Sequence, residues 1–152
     1  MNTQFQKLVS AVLPEAGDLC IFTKQLTSGS VRQEFFHDIE QAEAFIAEQV
    51  KKKYETYFGC MTFEASAPNR FVKHVHGYRT LFIDLDCGPE KKYFDQDMGL
   101  AALNRFVQMR RLPKPWIVDS GNGLHCYFPF NATVDYNTWI FIAEAFAQTA
   151  IS

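Results

Sequence analysis

The feature that most constrains this chain is TLFIDLD, the apolar segment of residues 80–86, which carries two carboxylates. Alternate side chains of a strand point to opposite faces, so Asp84 and Asp86 share one face. Residues two apart on a strand stand about 6.6–7 Å apart, which lets both carboxylates reach one divalent ion or bridge two. The segment therefore predicts a strand that ends in metal ligands. The alternative is an exposed strand end whose carboxylates form salt bridges with Lys91, Lys92 or Arg79.

Hydrophobic periodicity places this strand in a chain of mixed helices and strands. Strands are expected at residues 19–24, 31–36, 57–64, 80–86, 116–119 and 124–128. Helices are expected at residues 5–13, after an N-cap at Asp38, near Asp95, and through the apolar stripe of residues 139–150. No internal repeat or low-complexity linker divides the sequence, so residues 1–152 are expected to form one domain.

Charge and cysteine content limit the classes of protein to which this chain can belong. The chain has 15 basic and 17 acidic residues, a net charge of −2, which argues against nucleic-acid binding through bulk positive charge. The densest basic stretch, from Arg70 to Arg79, can still form a local basic groove. The four cysteines are widely spaced and predict buried thiols in a reducing compartment. No apolar run approaches the length needed to cross a bilayer, so we expect a cytoplasmic protein without membrane contact.

A second group of candidate residues follows the short strand at residues 116–119. Ser120-Gly121-Asn122-Gly123 is an ordinary hairpin turn signal. Its two glycines have no side chains, so a phosphate could also approach the backbone N–H groups there. His125 follows on the next strand and could donate a hydrogen bond to a phosphate oxygen. A plain turn followed by a structural histidine is the alternative interpretation.

Together the two motifs resemble the archaeo-eukaryotic primase superfamily, in particular the primase-polymerase domains of phages and plasmids. The resemblance lies in the strand ending in Asp84-x-Asp86 and in the later Ser120-Gly121-x-Gly123-x-His125. The order of the motifs, their spacing and the intervening helix ended by Leu-Pro-Lys-Pro also fit. In looser form the match covers residues 54–140.

The resemblance implies an α/β (α+β) fold in which a two-layer mixed sheet with flanking helices forms a primase-polymerase-like catalytic core. It implies a nucleotidyltransferase that makes primers or extends DNA on a template during replication of a mobile element. Asp84 and Asp86 would hold Mg²⁺ or Mn²⁺, and His125 would act with them as a catalytic residue. The incoming triphosphate would contact a wider set: Ser120, Gly121, Gly123, His125, Arg70 and Arg79.

The family usually carries a third acidic motif on a strand after the helix that follows the histidine motif. No such strand follows here, so we expect the catalytic domain to be incomplete before its last strand and weakly active or inactive alone. The expected partners are nucleoside triphosphates, a single-stranded DNA template with its primer, and a helicase or accessory replication domain. Two other functions stay open: a non-catalytic nucleotide- or DNA-binding module, and a metal-dependent phosphoesterase.

Overall fold

One open sheet of six strands organises the chain, and the computed structural model describes residues 2–151. The strands are β1 (Asp18–Gln25), β2 (Val31–Phe36), β3 (Tyr54–Phe63), β4 (Val75–Asp86), β5 (Trp116–Asp119) and β6 (Gly123–Val134). The helices are α1 (Gln4–Val12), α2 (Ile39–Lys51), α3 (Gln96–Met109) and α4 (Tyr136–Ile151), with a short 3₁₀ turn at Val72–His74. The strand order is β2-β1-β3-β4-β6-β5, which confirms the α+β class.

All paired strands of the sheet are antiparallel, where we expected a mixed sheet. The reason lies in the position of β6. Strands β4 and β5 are joined through α3 and run in the same direction, but β6 returns from β5 and inserts between them. If β4 and β5 were adjacent they would form a parallel pair, but β6 lies between them and is antiparallel to both.

Helices cover both faces of the sheet. Tyr127 packs with Val9 and Ala42 of α1 and α2, whereas the adjacent Cys126 packs with Leu103 of α3 and with α4. Because neighbours on a strand point to opposite faces, the two helix pairs lie on opposite sides. We call the side of α1 and α2 the front face and the side of α3 and α4 the back face. The helices therefore form two layers, one on each face of the sheet, so the domain has three layers where two were expected.

Helix α2 starts at the predicted N-cap Asp38, and α3 starts at Asp95, near which a helix was expected. The carboxylate of Asp38 accepts hydrogen bonds from the N–H groups of Glu40 and Gln41, and that of Asp95 accepts from Met98. Each such cap is worth about 1 kcal/mol, because it satisfies an N–H group that the helix leaves unpaired. Asp95 thereby fixes where α3 begins, directly after the loop that follows β4.

The pairing of β4 changes along its length. Its first part pairs with β3, between Val75–Tyr78 and Met61–Phe63, and its pairing with β6 runs from Tyr78 to Asp86. The carboxyl end of β4, with both candidate carboxylates, is therefore held by β6. The basic stretch that we identified in the sequence is split between a loop and the start of β4.

The cysteines are free, and two of them, Cys20 and Cys126, are buried as expected. Cys60 and Cys87 are only partly buried. Burial raises the pKa of Cys20, Cys60 and Cys126 to about 11, so these thiols stay protonated at neutral pH. Within residues 2–151 no helix is both long and apolar enough to cross a membrane.

Candidate functional site

Strand pairing places the two sequence motifs side by side. Asp84 of β4 pairs with His125 of β6, and Asp86 pairs with Gly123 one step nearer the strand end. Nε2 of His125 lies 3.7 Å from Oδ1 of Asp84. Paired residues of neighbouring strands project from the same face, and Tyr127 marks that face as the front. The two carboxylates and the imidazole thus form one patch at the end of the sheet.

The patch is open to solvent. The side chains of Asp84 and Asp86 are 53% and 67% exposed, and that of His125 is 31% exposed. Nζ of Lys91 lies 3.2 Å from Oδ2 of Asp86, so the salt bridge that was our alternative interpretation exists for one carboxylate. An exposed ion pair of this kind contributes only about 0–1 kcal/mol. It leaves the carboxylates accessible to a cation that competes with the lysine.

Aromatic rings of the front face pack against His125. Its imidazole meets the ring of Phe82 edge-on at 5.4 Å, and Phe82 leans against Tyr127 at 5.1 Å. Tyr127 in turn stacks on Phe58 of β3 at 5.9 Å, inside the core under α1. Burial raises the pKa of Tyr127, with smaller contributions from Cys60 and the Asp84 charge, so the tyrosine stays a neutral packing residue.

The turn between β5 and β6 is shaped by Asp119. Its Oδ1 accepts a hydrogen bond of 2.7 Å from the N–H of Gly121 and another of 2.7 Å from Nε2 of Gln96. Both bonds lower the pKa of Asp119 below its usual range, and the bond from Gly121 makes the larger contribution. The N–H of Ser120 donates to the carbonyl of Gly123, which closes the turn. We did not expect this arrangement, although an aspartate directly before Ser-Gly is a known turn signal.

Each turn glycine has a structural reason. Gly121 has a φ of +86°, a left-handed conformation that glycine adopts readily. At Gly123 a Cβ atom would lie 2.1 Å from the carbonyl oxygen of Leu85, so β4 and β6 can approach only because the side chain is missing. The alternative reading of a plain hairpin turn therefore explains both glycines. Phosphate binding at their N–H groups stays a prediction.

The donor set of the patch fits a hard divalent cation. Carboxylate oxygens are the ligands that Mg²⁺ and Mn²⁺ prefer, and Asp84 and Asp86 present two of them on one open face. Among residues 2–151 no group of three or more His, Cys, Asp or Glu side chains is placed to hold a metal ion. A cation on this pair would take its other ligands from water or from substrate phosphates.

The structure does not bring the two predicted arginines to this patch. Arg79 donates to the carbonyls of Ser10 and Leu13 at the end of α1, each at 3.4 Å, where a cation suits the helix dipole. Arg70 lies over the ring of Phe22 at 4.3 Å. Phe22 follows Ile21, which packs under α1 and α2, so Phe22 and Arg70 are on the back face.

A cavity of about 530 Å³ lies beyond the ends of β4 and β5. Residues of the turn line it together with Cys87, Gly88 and three carboxylates, those of Asp95, Asp97 and Asp119. Two of the carboxylates already accept backbone hydrogen bonds, Asp95 at the start of α3 and Asp119 in the turn. The lining of this cavity is therefore acidic.

Comparison with known proteins gives no family for this chain. No protein-family model matches it, and no curated protein or solved structure matches it either. The function must therefore be argued from the side chains of the patch and their surroundings.

Proposed function

We propose that this domain is a metal-dependent nucleotidyltransferase that adds nucleotides to a primer on a DNA template. The observation that carries the proposal is the front-face patch, in which Asp84 stands opposite His125 and Asp86 opposite Gly123. Carboxylates for a cation and a donor for phosphate on one open surface are what phosphoryl transfer requires, because its catalysis is mostly positioning and charge stabilisation.

Asp84 and Asp86 would hold Mg²⁺ or Mn²⁺ in this proposal. Such a cation supplies Lewis acidity toward phosphate oxygens and toward the attacking hydroxyl. The two aspartates contribute orientation as well as charge, because the strand fixes their spacing and the pairing with β6 fixes the strand. Lys91 would have to leave Asp86 when the cation binds.

His125 would donate a hydrogen bond to a phosphate oxygen of the incoming triphosphate. Its ring is held by Phe82, so the imidazole loses little freedom on binding. The N–H groups of the turn at Ser120, Gly121 and Gly123 are candidates for further phosphate contacts, in competition with the turn's own bonds. Arg70 and Arg79 have no triphosphate role in this proposal, because their contacts lie elsewhere.

The primer, the single-stranded template and a helicase or accessory replication domain are the partners that this function requires. The sheet end where the patch lies is open enough to admit a primer terminus, since both carboxylates are more than half exposed. A role in the replication of a phage or plasmid belongs to the same proposal and rests on the motif resemblance alone.

The test uses the full chain with a labelled primer on a DNA template, Mn²⁺ and each nucleoside triphosphate in turn. Addition that follows the template, and that is lost in Asp84→Asn with Asp86→Asn, supports the proposal. Release of nucleotides from the primer instead identifies a phosphoesterase. Triphosphate binding that needs the two aspartates, without turnover, identifies a non-catalytic nucleotide-binding module. Triphosphate binding unaffected by the double variant overturns the site.

A further inference from the structure

A groove on the back face, away from the patch, is unused by the proposed function. It has a volume of about 390 Å³, within the roughly 300–1,000 Å³ of small-ligand sites. It lies between β3 and the loop that joins β3 to β4. Its lining includes Gln33, Gly59, Met61, Arg70, Phe71 and Val72.

The groove carries a positive charge that is held in place. The guanidinium of Arg70 lies 4.3 Å from the ring centre of Phe22, and its Nε donates to Oε1 of Gln33 at 3.0 Å. Arg70 is the one formally charged side chain among the residues that line the groove. The cavity beside the patch is lined by three carboxylates instead. By charge, an anionic ligand fits the back-face groove and not that cavity.

Aromatic side chains are exposed around this charge. Phe71, in the groove wall, is 64% exposed, and Tyr57 is 47% exposed. Tyr57 pairs with Phe22 in register, and the two rings lie 6.0 Å apart, so Tyr57 borders the stacked arginine. Large exposed apolar surface beside a fixed cation is a feature of interaction sites.

The floor of the groove is apolar. Tyr57, Gly59 and Met61 share the back face of β3, because alternate residues of a strand point to the same side. A Cβ atom at Gly59 would lie 3.1 Å from Sδ of Met61 and 3.8 Å from Cε2 of Phe63. The thioether of Met61 therefore lies against the backbone of Gly59, and an apolar surface adjoins the charge of Arg70.

We propose that this groove binds single-stranded nucleic acid, with a base stacked on the exposed ring of Phe71 or Tyr57 and a backbone phosphate near Arg70. Sequence-tolerant binding of single strands combines such stacking platforms with positive charge. Single-stranded nucleic acid is favoured over an acidic peptide, because a nucleobase can stack on an exposed ring next to the charge, whereas an acidic side chain uses the charge alone. The groove lies on the opposite face from Asp84, so this binding needs neither metal nor triphosphate. The proposed function already names a single-stranded template as a partner, and the inference adds a separate surface for a single strand, away from the patch.

The test is fluorescence anisotropy of a labelled twelve-nucleotide oligothymidylate with the full chain, in EDTA at low salt. We expect Phe71→Ala to weaken binding by about 5- to 100-fold, the loss that follows from removing one base–aromatic stack. Arg70→Gln should also weaken it and reduce its salt dependence. The matched controls are Phe141→Ala, which removes a phenylalanine 75% exposed on α4, and Arg105→Gln on α3. Both should bind like the wild type.

Two further binding measurements separate base stacking from binding by charge alone. An oligomer of the same length without bases should bind about as weakly to the wild type as oligothymidylate binds to Phe71→Ala. Equal affinity for the base-free oligomer or for poly-glutamate would overturn the proposal, as would equal losses in Phe71→Ala and Phe141→Ala. If Arg70→Gln unfolds, Tyr57→Ala, which removes the second exposed ring, takes its place and should also weaken binding. Asp84→Asn with Asp86→Asn should keep full oligonucleotide affinity, so failure of the two proposals is distinguishable.

Discussion

Asp84 and His125 face each other across β4 and β6, with 3.7 Å between Oδ1 and Nε2. The two residues are 41 positions apart in the chain, and one antiparallel pairing makes them neighbours. In the proposed function, the carboxylate would hold a cation and the imidazole a phosphate within the same small region of solvent. The following predictions test this relationship and the turn that supports it.

We expect Asp84→Asn with Asp86→Asn to abolish Mn²⁺ binding while the domain stays folded, because the change removes exposed charge and no packing. At Mn²⁺ of about ten times its dissociation constant, binding adds about 1.4 kcal/mol to the stability of the wild type. This corresponds to a rise in Tm of about 3–6 °C for a domain of this size. Thermal melts with and without Mn²⁺ measure it. A shift retained by the double variant, or absent from the wild type, contradicts the metal assignment.

We expect His125→Ala to weaken binding of a nucleoside triphosphate by about 1–3 kcal/mol, the usual loss for a hydrogen bond to a charged group. Adenosine, which has no phosphates, should bind both proteins equally. Isothermal titration with ATP and with adenosine measures the difference, and His76→Ala is the control, because His76 pairs with Glu64 at the start of β4. An unchanged ATP affinity would make His125 a structural residue.

We expect Gly123→Ala to destabilise the domain by about 3 kcal/mol, because its Cβ would lie 2.1 Å from the carbonyl oxygen of Leu85 and push β4 from β6. In Gly121→Ala the added Cβ atom meets no neighbour within 4 Å, so only the backbone φ of +86° causes strain. This strain costs about 1–2 kcal/mol. Urea unfolding of the two variants gives both free energies. The reverse ranking would mean that the close approach of the strands is not required.

We expect the stabilising effect of Asp119 to depend on pH. Hydrogen bonds from Gly121 and Gln96 lower its pKa in the folded state, so the carboxylate stabilises the fold when ionised. This stabilisation is complete above the ordinary value of 3.8 and is lost as the pH falls through the lowered folded-state value. The difference in Tm between the wild type and Asp119→Asn should therefore stay constant from pH 7 to about pH 5 and shrink toward pH 2.

The variant Gln96→Ala provides the control for that pH dependence. It removes one of the two donors to Asp119 and leaves the other, so the stabilisation by the carboxylate should be smaller, and its loss on acidification should be complete at a higher pH than in the wild type. A difference in Tm that stays constant down to pH 2 would show that these bonds do not favour the ionised form.

Local patterns in the sequence predicted the features that depend on near neighbours in the chain. The N-cap Asp38, the helix start near Asp95 and the shared face of Asp84 and Asp86 were all correct. The turn predicted at residues 120–123 is also present, and its last residue, Gly123, already belongs to β6. Each of them depends on a capping side chain, a turn residue or the alternation of a strand, all set within a few residues.

The location of the two arginines could not be predicted in the same way. The resemblance grouped Arg70 and Arg79 with the triphosphate, whereas one stacks on Phe22 at the back face and the other donates to the end of α1. The direction of a loop or bulge side chain depends on what packs against it, and neither Phe22 nor α1 is close to its arginine in the sequence.

The sequence by itself determined the order of the helices and strands, the shared face of the carboxylate pair on β4 and the turn before His125, although β4 and β6 are longer than predicted. Only the tertiary structure decided that β6 inserts between β4 and β5, and with that the contact of Asp84 with His125 and the antiparallel sheet. Partner choice between strands is set by long-range packing of both faces and by the closure of the loops that join them, and the period of a single strand carries no information about its neighbour.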